Sequence, residues 1–304
     1  MRTVAGCLVF LAGVAVATRA SGQYVQYWSD SYTTTASTTD INFELAARQT
    51  GPLTPYVVGV VPSSGTAQFW QTQILSDGIA GALMLSGAPL DSGLDILASP
   101  DRDFSGLDAS GWLGTKVSFD IQVANLAGGY QYAAANFGSK LGASGAASTL
   151  GVRLTQDNLP GGLGSFFQIF DGTGVANVFS PPFTTGAYNN VEVFFTDTDA
   201  QGNPTNGNPW DGGTMAVGIA VNGAGVRSFS TSGWTQNYIT LEASWDRAQF
   251  RTASTFVDNL TVFRTVPEPA TLSLLGLAAI GAAGILRGRK KGDAAWRRAR
   301  GLRR

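Results

Sequence analysis

Lys116-Val117-Ser118-Phe119-Asp120-Ile121-Gln122-Val123 alternates without a break. Val117, Phe119, Ile121 and Val123 fall on one side, and Lys116, Ser118, Asp120 and Gln122 on the other. A period of two is the period of a β-strand, and an apolar set confined to one side marks a strand with one face in a core. The same period recurs at Leu150-Val152-Leu154, Val191-Val193-Phe195, Met215-Val217-Ile219-Val221, Ile239-Leu241-Ala243 and Leu260-Val262. Residues 56–61, 67–75, 79–85 and 165–170 are further strand candidates. About ten strands of this kind, with no helix and strand alternation between them, predict an all-β fold, an antiparallel β-sandwich.

Turn chemistry agrees. Asp77-Gly78, Asp171-Gly172, Asn206-Gly207, Asp211-Gly212 and Asn222-Gly223 all offer the positive φ that tight turns require. Residues 127–148, rich in Ala, Gly and Ser, read as a long loop or a short helix. No internal repeat is present, and the alternative to a single domain is a boundary near Ser99-Pro100.

Two segments resemble jelly-roll domains such as the laminin B module and carbohydrate-binding modules. Ser99-Pro100-Asp101-Arg102-Asp103-Phe104 leading to Lys116–Ile121 is similar to a strand entry in that group, and Thr255–Val262 is similar to its closing strand. The resemblance implies a jelly-roll-like sandwich and carries over no binding residue.

The two ends read differently from the body. Residues 1–22 have the form of a signal peptide: Arg2, an apolar run from Val4 to Ala17, and small residues before Gln23. Cys7 lies inside that run, so a body of residues 23–265 has no cysteine and forms neither a disulfide nor a thiolate metal site. At the other end, residues 270–286 form a seventeen-residue run without a charge. As a helix it spans about 25 Å, enough for a single transmembrane helix. Arg287, Arg289, Lys290, Lys291 and five further arginines follow in a tail of residues 287–304, and by the positive-inside rule they hold this end in the cytoplasm. The body then lies outside.

Val266-Pro267-Glu268-Pro269-Ala270, a short apolar helix and a basic cluster, in that order, resemble the PEP-CTERM sorting signal. The resemblance implies passage through the inner membrane, transient anchoring by the helix, recognition by an exosortase-type processing enzyme, and release or transfer of the body to the cell surface. The tail, running to Arg304, is longer than the usual short one. The two prolines fix an extended backbone that a processing enzyme can grip.

Between Gln23 and Val266 stand nine Lys and Arg against nineteen Asp and Glu, a net charge of −10 that the basic tail conceals in the whole chain. Such a surface repels phosphate, and no nucleic acid partner is expected. The chain contains no histidine, which removes the commonest general base, the Ser-His-Asp arrangement and His-ligated metals. Carboxylates remain, and a glycosidase needs a pair of them across a cleft. Glu192 and Glu242 each fall on the polar side of an alternating strand, where the plain reading is a solvated position.

One loop has the composition of a site. Asp197, Asp199, Gln201 and Asn203 alternate, with Gly202 at the sixth position, as a calcium loop of EF-hand type requires. Its twelfth position is Asn208 instead of glutamate and strands flank it, so it also reads as a polar hairpin loop. Apart from Ca²⁺ there, no cofactor is expected. Trp210, Trp234 and Trp245 are candidates for stacking on sugar rings, or else side chains that cap sandwich edges. Asn259-Leu260-Thr261 matches the glycosylation pattern, read as coincidence in a closing strand. The expected class is an exported, non-catalytic protein of the cell surface or extracellular matrix. A carbohydrate-binding module for surface polysaccharide and a carboxylate-based glycan hydrolase are the alternatives.

Overall fold

A computed structural model describes residues 22–32, 56–64, 69–76, 81–88, 92–105, 115–123, 129–138, 150–171, 174–179, 183–205, 208–246 and 253–267. Residues 1–21 of the expected signal peptide, the transmembrane segment 270–286, the basic tail and Glu268 to Ala270 lie outside the described residues. Among the described residues no helix is long and apolar enough to cross a membrane. Tyr24–Thr265 form one compact unit; the two chain ends belong to another.

The described residues form fifteen strands in two antiparallel sheets packed as a sandwich. In the eight-stranded sheet the order is β13 (Ala224–Ser232), β12 (Thr214–Val221), β11 (Tyr188–Thr198), β6 (Thr115–Gln122), β15 (Ala253–Pro267), β4 (Gly81–Ala88) and β3 (Phe69–Ser76). β1 (Gly22–Asp30) also pairs with β15. In the seven-stranded sheet it is β10 (Val175–Val178), β9 (Gly164–Phe170), β8 (Leu150–Asp157), β7 (Tyr130–Gly138), β14 (Tyr238–Asp246), β5 (Ser92–Pro100) and β2 (Tyr56–Ser64).

The alternating segments become strands for the reason their period gives. Val117, Phe119 and Ile121 of β6 join Val191, Val193 and Phe195 of β11 and Met215, Val217 and Ile219 of β12 in the core. Leu150, Val152 and Leu154 of β8 and Ile239, Leu241, Ala243 and Trp245 of β14 meet them from the other sheet. Phe137 and Phe195 touch across the interior at 5.5 Å between ring centres, edge to face. Burying each such side chain contributes about 1.5–3 kcal/mol.

Asn222 and Gly223 have φ of 49° and 77° and join β12 to β13 as a two-residue hairpin. Asn259, with φ 52°, sits where the register of β15 on β6 shifts between Asp258 and Thr261, which makes it the left-handed residue of a bulge.

The structure corrects the sequence reading in two places and offers no support for its alternative boundary. Residues 130–138, expected within a loop or short helix, are β7, paired along its length with β8 and β14. Its three alanines have low strand preference, but that preference measures fit to a pleated surface, and a central strand covered on both faces takes small side chains. Ser99-Pro100 is no boundary: Ser99 Oγ donates to the Ile239 carbonyl at 2.8 Å, and Asp103 Oδ1 accepts from the Asn237 N–H at 2.9 Å. β1, β5, β10 and β13 lack a clean alternation and are additional to the expected set.

Candidate functional site

The outer face of the seven-stranded sheet carries a connected set of buried polar groups among the described residues. Strand alternation puts Ile239, Leu241, Ala243 and Trp245 of β14 inside, so Thr240, Glu242 and Ser244 point out. Register extends the row. Glu242 pairs with Leu97 of β5 on one side and Ala134 of β7 on the other; Ala134 pairs with Arg153 of β8, Arg153 with Gln168 of β9, and Gln168 with Asn177 of β10. At the usual strand spacing Glu242 and Asn177 lie roughly 19 Å apart.

Neighbouring rows supply rings and further donors. Tyr132, Thr155, Phe166 and Phe179 flank the row on one side, the last two with ring centres 5.4 Å apart. Asn136, Gly151, Phe170 and Val175 flank it on the other.

Glu242 is fully buried. Tyr132 Oη donates to its Oε1 at 2.6 Å and Asn136 Nδ2 donates to its Oε2 at 2.5 Å, so both oxygens have a partner. Burial pushes its carboxyl above the ordinary glutamate value, against the opposing pull of Arg153 and the two donors. Burial, and then the nearby Glu242, push the Tyr132 phenol well up, so it stays a donor. The same phenol oxygen lies 3.5 Å from Asp95 Oδ1. Ala134, between Glu242 and Arg153 in the row, has too small a side chain to keep those two apart.

Arg153, 8% exposed, is held between two rings, its guanidinium carbon 4.0 Å from the centre of Tyr132 and 4.2 Å from that of Phe170. Its buried Nε has no hydrogen-bond partner. Beyond it, Gln168 Oε1 accepts from Thr155 Oγ1 at 3.1 Å and from Tyr130 Oη at 3.3 Å, and Gln168 Nε2 donates to Asn177 Oδ1 at 3.1 Å. Exposure rises along the row: Glu242 is buried, Gln168 half-buried and Asn177 exposed. The row is a ladder of amide, hydroxyl and charged groups bordered by rings, buried at its Glu242 end and open to a polar, hydroxylated ligand toward Gln168 and Asn177.

Of the two expected solvated glutamates, only one is near solvent. Glu192 on β11 bonds Lys116 Nζ at 2.7 Å, with its side chain 23% exposed. Glu242 is the correction: the same strand pattern leaves it wholly buried, because the outer face of β7 and β8 beside it is buried too.

The loop after β11 is satisfied from within. Asp199 Oδ1 accepts from the N–H groups of Gln201 at 3.0 Å and Asn203 at 2.8 Å, and its Oδ2 accepts from Asn203 Nδ2 at 2.9 Å. The Asn203 side chain, chiefly, holds the Asp199 carboxyl below its ordinary value. Asp197 accepts from Thr205 Oγ1, and Gly202 takes φ 81° at the bend. Donors of the loop itself thus occupy carboxylate positions that a cation would use, and no group of three or more metal-ligating side chains of the His, Cys, Asp or Glu type occurs among the described residues.

Two of the three tryptophans are core residues. Trp245 is fully buried and Trp210 is 4% exposed. Trp234 packs partly buried against Trp210 at 5.7 Å and Phe195 at 6.1 Å. Stacking on a sugar needs an open ring face, which Trp245 and Trp210 lack. The sequence reading missed Tyr132, Asn136, Arg153, Gln168, Asn177 and Phe179. The alternation at Leu150-Val152-Leu154 already places Arg153 and Thr155 on the opposite face, and the run Ala133-Ala134-Ala135 hid the equivalent signal in β7.

Solved structures resemble this chain at low identity. The potassium-bound carbohydrate recognition domain of Emp46p is 10% identical, with a TM-score of 0.45 over 79% of this chain and 98% of that one. A glycoside hydrolase family 16 endo-glucanase from Bacteroides ovatus is 11% identical, with a TM-score of 0.43 over 77% and 99%. A sialidase is 12% identical, with a TM-score of 0.37 over 64% of this chain and 16% of its own. This chain therefore spans about a sixth of the sialidase it matches. The fold described above stands on its own strands. No curated protein matches the chain. Residues 265–291 match the model of the PEP-CTERM protein-sorting motif. β15 ends at Pro267, inside that match, so the body's last strand runs directly into it. The chain therefore carries at its C-terminal end the PEP-CTERM sorting motif, the mark of an exported protein sorted by an exosortase.

Proposed function

We propose that the exported body is a non-catalytic component of the cell surface or extracellular matrix that holds surface polysaccharide on the outer face of its seven-stranded sheet. The observation that carries this reading is the ladder from Glu242 through Arg153 and Gln168 to Asn177, hydrogen-bonded at its two ends and bordered by Tyr132, Phe170 and Phe179. Sugars offer hydroxyl rims and apolar C–H faces, and a face of fixed amides beside rings complements both. Support for a non-catalytic role comes from the missing histidine and from a Glu242 carboxylate whose two oxygens are already engaged.

A carboxylate-based glycan hydrolase is the second reading. It is favoured by one contact set: Glu242 and Asp95 both approach the Tyr132 hydroxyl. Exported protein recovered from producing cells and passed over immobilised polysaccharides, with and without Ca²⁺, separates the two. Retention without new reducing ends is expected; release of reducing ends would establish the hydrolase, and failure to be retained would sink the binding role. The C-terminal mass of the same material tests processing: a mass short of Arg304 is expected, and an intact Arg304 would contradict it.

A further inference from the structure

We infer that the ladder selects an uncharged, hydroxyl-rich glycan over a uronate or sulfated one, and takes it at the β9–β10 end, where Phe179 and Asn177 make first contact. The inference rests on the polysaccharide reading above and narrows it to a chemical class and a place.

Access decides the place. Among the described residues of the row, only the β9–β10 end is open: Asn177 is exposed between Val175, 55% exposed, and Phe179, 56% exposed. Two large apolar side chains left open, one at the start of a four-residue edge strand and one just past its end, need a reason, since a protein gains nothing by wetting them. The fixed amides give one. The Gln168 carbonyl is held by Thr155 and Tyr130, and its amide N–H2 is committed to the Asn177 carbonyl. That bond commits the oxygen of Asn177 inward and leaves its N–H2 as the donor at the exposed end. An oriented donor with an open ring on one side and an aliphatic side chain on the other matches a sugar's hydroxyl edge and its apolar face.

Charge decides the class. Among the residues whose side chains are described, strand alternation gives this face Asp95, Asp157 and Glu242 against one cation, Arg153, so carboxylates outnumber the cation even with the buried Glu242 left aside. The Arg153 Nε without a partner, enclosed between two rings, adds a donor behind the entry. It has no spare charge for an anion. The body's net charge of −10 repels a polyanion further.

The test is affinity electrophoresis of the exported protein in gels containing dextran, mixed-linkage β-glucan or galactomannan, and in parallel alginate. Retardation by at least one neutral glycan and none by alginate is expected. Phe179→Ala and Asn177→Ala, both at exposed positions and checked for an unchanged melting temperature, should each weaken that retardation about tenfold. Preference for alginate would overturn the selectivity. Neutral binding untouched by both substitutions would overturn the location and leave the polysaccharide reading standing. No retardation by any of the four would remove both.

Discussion

Glu192 and Glu242 occupy the same kind of position on two different sheets. Each stands on the polar side of an alternating strand, in β11 and β14, with valine, phenylalanine or leucine on the inner side. In the eight-stranded sheet, β6, β11 and β12 alternate buried and half-buried along their length, so the outer face is an ordinary wet one. Glu192 there meets Lys116, whose ammonium also lies 4.4 Å from the Phe263 ring. In the seven-stranded sheet, β7 and β8 are buried on both faces, and Glu242 is enclosed among Tyr132, Asn136 and Arg153. One carboxylate is in a half-buried ion pair that reaches solvent and the other is the centre of a buried network. The difference lies in what borders the strand, which period alone does not encode.

Removing each carboxylate measures that difference. Glu242→Ala leaves the Tyr132 hydroxyl and the Asn136 amide without their acceptor and Arg153 without a counter-charge in a buried place. The expected loss of unfolding free energy is about 3 kcal/mol, read by denaturant titration. A loss under about 1 kcal/mol would mean that water reaches the network.

The next effect is on pH dependence. Burial raises the folded-state pKa of Glu242 above its unfolded value, so folding favours the protonated acid. The stability this group contributes is full below the unfolded carboxyl's range and is lost as pH rises through the raised folded value. Glu242→Gln, neutral at every pH, should flatten that part of the stability profile, and an unchanged slope would assign it to other groups. Glu192→Ala should cost about 1 kcal/mol, less than Glu242→Ala, because the Lys116–Glu192 pair is half-buried and keeps contact with water. A cost matching that of Glu242→Ala would erase the contrast. The smallest effect belongs to the Asp197–Asn203 loop, whose carboxylates are already served by its own donors. Adding Ca²⁺ should leave the melting temperature unchanged, whereas a rise would show that a cation displaces those donors.

The contrast also marks how far the sequence could be read. Val117, Phe119 and Ile121 announced β6, and Asn222-Gly223 announced the hairpin after β12, because alternation and positive φ are local properties. Pro267 in its motif was legible for the same reason. β7 was not: Ala133, Ala134 and Ala135 blur the period, and only pairing with β8 and β14 makes that segment a strand. The network around Glu242 was hidden more deeply, since it joins residues 95, 132, 136, 153 and 242 through register across four strands. Trp210 and Trp245 misled in the opposite direction. Their residue type suggested an open platform, while their place is in the core with Phe195 and its neighbours.

The most direct measurement is hydrogen exchange on the exported protein with and without a neutral glycan that it retains. New protection is expected in β8, β9 and β10, around Arg153, Gln168 and Asn177, and none in β6, β11 and β12 of the other sheet. Protection confined to the eight-stranded sheet, or absent from both, would contradict it.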